Sequence, residues 1–207
     1  MKATALNCTK WTYESEWKGL VPYEDALLLQ QNLAEQIAQG RSLSRVLGLE
    51  HPHVITLGRR SKMDPVLPPG PIVWTERGGE ATLHSEGQLV IYPLMKLRPH
   101  FEVRTWVEHL LSVTQRSFLA IGIEAKIGEQ SGLWTNQGKI AFLGLRVKNG
   151  VSMHGLSINV HNDLKLFGAI KACGVQDALI DSLSNQNVKL SPQEFFQVWL
   201  GEFTKRA

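Results

Sequence analysis

The chain has few cysteines, no long apolar run and little net charge. Each of these features excludes a class of protein. It contains only two cysteines in 207 residues, so a disulfide framework is not expected. No stretch approaches the roughly 18 consecutive apolar residues that a membrane-spanning helix needs. From Met1 to Trp17 the chain carries polar residues and two glutamates where a signal peptide would be apolar. We therefore expect a cytoplasmic protein without a membrane partner.

Charge and motif content exclude further classes of function. The formal net charge is +3, which is too weak for the basic stripe of a nucleic-acid-binding protein. The seven histidines show no HExxH or similar metal spacing, and no P-loop signature is present. We accordingly expect no nucleic-acid partner, no metal and no cofactor.

The overall composition is that of an ordinary globular protein. The hydrophobic content is 43% and the charged content 20%. Neither a repeat nor a shift in composition divides the chain, so we expect one catalytic domain over residues 1–207. The nearest approach to a linker is the segment Asp64–Pro71, whose four prolines predict an extended surface loop.

Periodicity predicts three helices and a series of strands. The helices are predicted at Pro22–Gln39, at about Val103–Ala120, and after the capping box Ser191-Pro192-Gln193-Glu194. The predicted strands are Arg45–Leu49, His53–Leu57, Ile72–Thr75, Gln88–Leu94, Gly132–Thr135, Lys139–Lys148 and Val151–Val160. Because helices and strands do not alternate strictly, we expect an α+β fold with a mixed or largely antiparallel sheet flanked by helices.

The pair Asn149-Gly150 predicts a tight hairpin between the last two strands, because both residues accept the positive φ of a type I′ turn. Counting back from the turn places Gly144 opposite Gly155, and Phe142 opposite Ser157. Two facing glycines leave a bare patch on one face of the sheet. Either a substrate approaches this patch, or a helix of the protein packs tightly against it.

Lys139 and Cys173 are the candidate residues for nucleophilic acyl chemistry. A thiol reacts as its thiolate, and a lysine beside it can take the thiol proton. Strict alternation places Lys139 on the face opposite the glycines, unless it belongs to the turn or a bulge redirects it. Taken alone, such a cysteine is more often a small buried hydrophobe than a nucleophile, although Gly174 beside Cys173 favours exposure in a tight turn. The run from Arg77 to His84 offers bare glycine backbone beside a cation and an imidazole, although His84, like His154, can also be purely structural.

Together these segments resemble the lipoyl(octanoyl) transferase family over about half of the chain, in the same order. The resemblance is carried by Arg77-Gly78-Gly79-x-x-Thr82-x-His84-x-x-Gly87-Gln88, Gly138-Lys139-Ile140-Ala141-x-Leu143-Gly144-Leu145-Arg146, His154-Gly155-Leu156-x-x-Asn159-Val160, Asp163-Leu164, Phe167 and Cys173-Gly174. It implies the fold of biotin and lipoate protein ligases. It also implies transfer of an octanoyl group from acyl carrier protein to a lysine on the lipoyl domains of lipoate-dependent enzymes.

The same resemblance implies roles for individual residues. Cys173 corresponds to the nucleophile that accepts the acyl group, and Lys139 to the group that activates it. The walls of the acyl site correspond to Arg77, Gly78, Gly79, Glu80, Ala81, Thr82, Leu83, His84, Phe142, Leu143, Gly144, Gly155, Leu156 and Ser157.

Four residues depart from the family pattern. Ser85-Glu86 stand where Gly-Pro is usual, Leu83 replaces an aromatic residue, and Ala172 replaces a proline. The change at Ser85 and Glu86 bears on loop shape and acyl-chain preference.

Two alternative functions stay open at this point. One is an ATP-dependent lipoate or octanoate ligase on the same fold, for which Cys173 would be dispensable. The other is a non-catalytic module that binds an acyl group or docks a carrier protein. Transfer to an acceptor domain in the absence of ATP distinguishes both from an octanoyltransferase.

Overall fold

The computed structural model describes residues 11–61, 70–98, 103–128, 132–169 and 179–205. The helices within these ranges are α1 (Tyr23–Ala38), α2 (Val103–Ala120) and α3 (Pro192–Thr204), with a 3-10 helix at Leu164–Ala169. The strands are β1 (Tyr13–Leu20), β2 (Ser44–Glu50), β3 (Val54–Leu57), β4 (Ile72–Trp74), β5 (Thr82–His84), β6 (Gln88–Leu94), β7 (Lys126–Ile127), β8 (Gly132–Trp134), β9 (Lys139–Lys148) and β10 (Val151–Asn159). None of the helices in the described ranges is both long and apolar enough to cross a membrane.

The strands form two mixed sheets. The larger sheet has the order β1-β2-β6-β10-β9-β8-β7, with β1 parallel to β2 and the other neighbours antiparallel. The smaller sheet has the order β4-β3-β5, with β3 parallel to β4 and antiparallel to β5. The predicted α+β class with a mixed sheet is therefore confirmed. Three strands, β1, β5 and β7, were not predicted from the sequence, because they are short or largely exposed along their length.

Alternation along β6 divides the large sheet into two faces. Leu89 and Ile91 join the main core cluster beneath α2 and α3, whereas Val90 and Tyr92 point to the opposite face, beneath α1. Large aromatic side chains fill the main cluster and are fully buried, among them Trp106, Phe118, Phe195, Phe196 and Trp199. The burial of this apolar surface is the main contribution to the free energy that holds α2 and α3 on the sheet.

Local signals set the start of α3 and the turn of the main hairpin as predicted. The Ser191 hydroxyl accepts a hydrogen bond from the Glu194 backbone N–H at 3.2 Å, and the Glu194 carboxylate accepts one from the Ser191 backbone N–H at 2.7 Å. This is the reciprocal capping box. Asn149 and Gly150 have φ values of +51° and +75°, and β9 pairs with β10 in the predicted register, with Gly144 opposite Gly155.

A bulge interrupts β9 at its beginning. Trp134 of β8 pairs with Lys139 and Leu133 pairs with Ala141, so Ile140 is an extra residue on β9. A bulge of this kind changes which face the preceding side chain points to. This local irregularity decides where Lys139 lies in the site described below.

Candidate active site

A cavity of about 500 Å³, counting its opening to solvent, lies between the β9–β10 hairpin and the Arg77–His84 segment. It is lined by Tyr23, Arg77, Gly78, Gly79, Glu80, Ala81, Thr82, His84, Val90, Tyr92, Phe142, Leu143, Gly144, His154, Gly155, Leu156 and Ser157. All of the predicted wall residues except Leu83 belong to this set. The structure thus brings the Arg77–His84 segment together with both strands of the β9–β10 hairpin, which lie far from it in sequence.

Leu83 lies on the other side of its strand. Thr82 and His84 of β5 line the cavity, and alternation turns Leu83 away from it. The Leu83 side chain is fully buried and packs in a small cluster with Ile55 and Leu57 of β3. Its position here is that of a core residue supporting the wall.

The facing glycines Gly144 and Gly155 allow the protein's own backbone to come close. A Cβ atom on Gly144 would lie 2.9 Å from the Gly78 carbonyl oxygen, and the Gly78 N–H donates to the Leu145 carbonyl at 2.9 Å. At Gly155 the nearest atoms are the Ile91 carbonyl and the Pro93 ring of β6. The close neighbours of the pair are therefore a loop and a strand rather than a helix, and both glycines still line the cavity.

Arg77 anchors the glycine loop, which comprises residues Arg77–Gly79, to β3. Its buried guanidinium donates to the Thr56 carbonyl at 2.6 Å, to the Thr56 hydroxyl at 2.8 Å, and to the Gly78 carbonyl at 3.2 Å. Hydrogen bonds from a charged donor are stronger than those between neutral groups. They hold the Arg77–Gly79 backbone against β3, and the hydrogen bond from the Gly78 N–H to the Leu145 carbonyl holds it against β9.

Buried tyrosines and histidines form the wall next to α1, and His51 supports it from behind through its bond to Tyr92. The Nδ1 atom of His51 lies 2.6 Å from the Val21 carbonyl, which can only accept, so Nδ1 carries the proton. Nε2 of His51 then accepts from the Tyr92 hydroxyl at 2.8 Å. Burial lowers the pKa of His51 to about 4 and raises the pKa of Tyr23 to about 12. These side chains are therefore uncharged at neutral pH.

His154 is also part of this wall, beyond the structural role that sequence analysis allowed it. Its backbone has a φ of +57°, and its N–H donates to the Gln30 side chain at 2.8 Å. Burial, assisted by the positive charges of Arg77 and Arg146, lowers the pKa of His154 to about 4. No cluster of three His, Cys, Asp or Glu side chains suited to a metal occurs in the part of the chain that the structure describes.

Four lining residues were not predicted from the sequence: Tyr23, Val90, Tyr92 and His154. Val90 pairs with Ser157 across β6 and β10, which places both side chains on the cavity face. The alternation in β6 indicates two faces, but the register between strands some seventy residues apart cannot be read from the sequence. The hairpin register was accessible only because its turn is two residues long.

Lys139 is buried and turned toward the cavity face by the bulge in β9. Its Nζ atom lies 4.5 Å from the ring centroid of Trp134 and 4.8 Å from that of Phe142, which lines the cavity. Of the alternatives that the sequence left open, the structure shows the bulge. The Lys139 backbone is held on both sides, since its N–H donates to the Leu179 carbonyl and its carbonyl accepts from the Asp181 N–H.

Cys173 lies outside the described residues. The described chain before it includes Phe167, whose ring stacks on Phe142 with centroids 5.5 Å apart. The described chain after it resumes at Leu179, which is hydrogen-bonded to Lys139 at 2.8 Å. The two described segments nearest to Cys173 in sequence are thus attached beside Phe142 and Lys139.

Comparison with solved structures identifies the fold as that of lipoate and biotin protein ligases. A structure of lipoate-protein ligase A bound with ATP has a TM-score of 0.71, at 14% identity, covering 94% of this chain and 84% of the other. Biotin protein ligase from Aquifex aeolicus has a TM-score of 0.54, at 11% identity, covering 92% of this chain and 67% of the other. At these identities the likeness shows the fold alone.

Sequence comparison then gives the family. Residues 22–204 match the family model described as lipoyl protein ligase A/B catalytic domain, and the chain belongs to that family. An octanoyltransferase from Pseudarthrobacter chlorophenolicus is 36% identical over 207 residues, covering 94% of this chain and 93% of the relative. An octanoyltransferase from Maridesulfovibrio salexigens is 33% identical, covering 90% and 92%. The family expectation from the motifs is confirmed.

Proposed function

We propose that the protein is an octanoyltransferase of lipoate biosynthesis, which transfers an octanoyl group to a lysine of a lipoyl domain. One observation carries this proposal: the Lys139 side chain reaches the ring of Phe142, and Phe142 lines a largely apolar cavity. A medium-length acyl chain suits such a cavity, because burying its methylenes is favourable. Octanoyl transfer is also the activity for which the curated relatives are named.

The proposed chemistry takes place in two steps, with Cys173 as nucleophile and Lys139 as base. Lys139 takes the proton of the Cys173 thiol, and the thiolate attacks the thioester of octanoyl-acyl carrier protein. The carrier leaves as a free thiol after receiving a proton, and an octanoyl thioester remains on Cys173. The amine of the acceptor lysine then attacks this thioester, giving an amide and restoring the Cys173 thiol. Exchange of thioesters is nearly balanced and amide formation is downhill, so no nucleotide is consumed.

The predicted wall residues bind the acyl chain in this proposal. The Arg77–His84 segment and the hairpin residues from Phe142 to Gly144 and from Gly155 to Ser157 enclose the chain on two sides. The Gly78 N–H is engaged by the Leu145 carbonyl, so it serves the wall rather than an oxyanion. We further propose that residues 1–207 act as one catalytic domain in the cytoplasm, without a cofactor.

Mass spectrometry tests the thioester step. After incubation with octanoyl-acyl carrier protein, the wild-type protein gains the mass of one octanoyl group, and the Cys173→Ala variant does not. Cys8→Ala is the matched control and keeps the adduct. Equal adduct formation in Cys173→Ala contradicts the proposed nucleophile.

A transfer assay with a purified lipoyl domain and no ATP separates the alternatives. We expect octanoylation of the acceptor lysine under these conditions. A strict requirement for ATP together with full activity of Cys173→Ala identifies a ligase instead. Binding of the octanoyl donor without any transfer identifies a non-catalytic module.

The role of Lys139 is tested through the reactivity of the thiol. Lys139→Met is expected to slow alkylation of Cys173 at neutral pH, because the thiolate fraction falls. Lys148→Met changes an exposed lysine at the other end of the same strand and serves as control. An alkylation rate in Lys139→Met equal to that of the control removes Lys139 from thiol activation.

A further inference from the structure

A chain of buried hydrogen bonds connects the cavity wall to the segment beside Lys139. Nδ1 of His84 lies 2.7 Å from Oε1 of Gln88. Nε2 of Gln88 donates to Oδ1 of Asn159 at 2.9 Å and to the Leu83 carbonyl at 3.3 Å. Nδ2 of Asn159 donates to the Asp181 carbonyl at 2.9 Å. His84, Gln88 and Asn159 are all buried, so each of these bonds is shielded from water.

The direction of every bond in this chain follows from its backbone ends. A carbonyl oxygen only accepts, so Asp181 requires the NH₂ group of Asn159, and the Asn159 oxygen must face Gln88. That oxygen and the Leu83 carbonyl both require the NH₂ group of Gln88, so the Gln88 oxygen must face His84. Nδ1 of His84 is then the donor. In the neutral ring Nε2 consequently carries no proton.

We propose that Gln88 and Asn159 are positioning residues, which fix His84 as the Nδ1–H tautomer in the cavity wall and hold the 179–181 segment against Lys139. The His84 ring lines the cavity, and its Nε2 makes no hydrogen bond with any residue that the structure describes. The Asp181 N–H donates to the Lys139 carbonyl at 3.0 Å, and the Lys139 N–H donates to Leu179 at 2.8 Å. The side-chain amides of Gln88 and Asn159 thus position both the His84 ring in the cavity wall and the backbone segment bonded to the proposed base, Lys139.

The surroundings of His84 keep its ring neutral. The rings of Tyr23 and His51 lie 5.9 and 5.5 Å from it, and Arg77 and His154 are the other ionisable groups that act on it. None of these four carries a negative charge at neutral pH. Burial, with His51, Arg77 and His154, lowers the pKa of His84 well below its usual value. A neutral His84 ring fits a wall that faces an uncharged acyl chain.

Nitrogen NMR of the imidazole rings tests the tautomer without substrate. In ¹⁵N-labelled wild-type protein, the His84 signals, assigned by their loss in His84→Gln, are expected to show protonated Nδ1 and bare Nε2 from pH 5.5 to 8. In Gln88→Glu, a carboxylate replaces the amide oxygen, so His84 is expected to become doubly protonated within this range. Gln31→Glu adds the same charge at an exposed site of α1 and leaves His84 unchanged.

Two NMR results overturn the proposal: a wild-type His84 that is protonated on Nε2, or an unchanged His84 in Gln88→Glu. The wild-type measurement decides the question even if a variant does not fold. Because the spectrum needs no acyl substrate, its outcome is independent of the proposed function. Normal octanoyl transfer with the wrong tautomer rejects this inference alone, and the correct tautomer without octanoyl transfer rejects the proposed function alone.

The link to Lys139, which rests on the proposed function, is tested by Asn159→Asp. This change removes the donor to Asp181, so the backbone segment beside Lys139 loses a buried hydrogen bond. We expect kcat for octanoyl transfer to fall by about tenfold, with the KM for the octanoyl donor little changed. Asn32→Asp, at an exposed position of α1, is the control and keeps kcat. A wild-type kcat in Asn159→Asp, or a rise confined to KM, shows that Asn159 does not position Lys139.

Discussion

Replacing Gly144 by alanine tests whether the glycine loop presses directly on β9. The added Cβ would lie 2.9 Å from the Gly78 carbonyl oxygen and 3.3 Å from Cδ of Arg77. Gly78 has no freedom to retreat easily, because its N–H is bonded to the neighbouring Leu145 carbonyl at 2.9 Å. We therefore expect Gly144→Ala to lift the loop and to lower the free energy of unfolding by about 1–3 kcal/mol, as overpacking does elsewhere.

Gly201→Ala is the matched control for this experiment. Gly201 lies within α3, and an added Cβ there would meet nothing within 4 Å. Alanine is the better helix former by up to about 1 kcal/mol, so the same chemical change is expected to stabilise the protein at this position. Thermal and urea unfolding measure both variants, with a shift of about 2–4 °C in Tm for each kcal/mol at this chain length.

The opposite signs at the two positions are the critical result. A Gly144→Ala variant that melts at or above the wild-type temperature refutes the close approach of Gly78 to β9. Octanoyl transfer is measured on the same samples, because a lifted loop also opens the cavity wall. A destabilised variant with a wild-type KM for the octanoyl donor shows that the loop supports the fold without shaping the acyl site.

Three further predictions concern stability. His51 and His154, with pKa values lowered to about 4, take up protons on unfolding between about pH 6.5 and 4, so stability falls as the pH falls. Each is expected to lower the free energy of unfolding by about 2 kcal/mol at pH 5 relative to pH 7; equal urea midpoints at both pH values contradict this. Thr114→Val removes the hydroxyl that accepts a hydrogen bond from the buried Trp199 indole N–H at 2.9 Å. We expect the free energy of unfolding, measured in urea, to fall by about 1–3 kcal/mol. An unchanged free energy of unfolding shows that the bond contributes little. Ser191→Ala breaks the capping box and should lower stability by about 1 kcal/mol; an unchanged Tm excludes that contribution.

Features set by residues close together in sequence were predicted correctly, whereas features set by distant residues were not. The capping box at Ser191, the turn at Asn149-Gly150 and the pairing of Gly144 with Gly155 all followed from residues a few positions apart, and all are present. The strand β1 was missed because it lies at an edge of the sheet, is largely exposed, and pairs in parallel with β2 across α1.

For the site, the sequence by itself determined the chemistry available: a lysine, a cysteine, and glycine segments whose motifs define the family. Only the tertiary structure decided which side chains meet. The bulge at Ile140 turned Lys139 to Phe142, and the pairing of β6 with β10 brought Val90 and Tyr92 to the cavity. The physical reason is that turn and cap geometry depends on neighbouring residues, whereas bulges and strand register depend on the packing of the whole sheet.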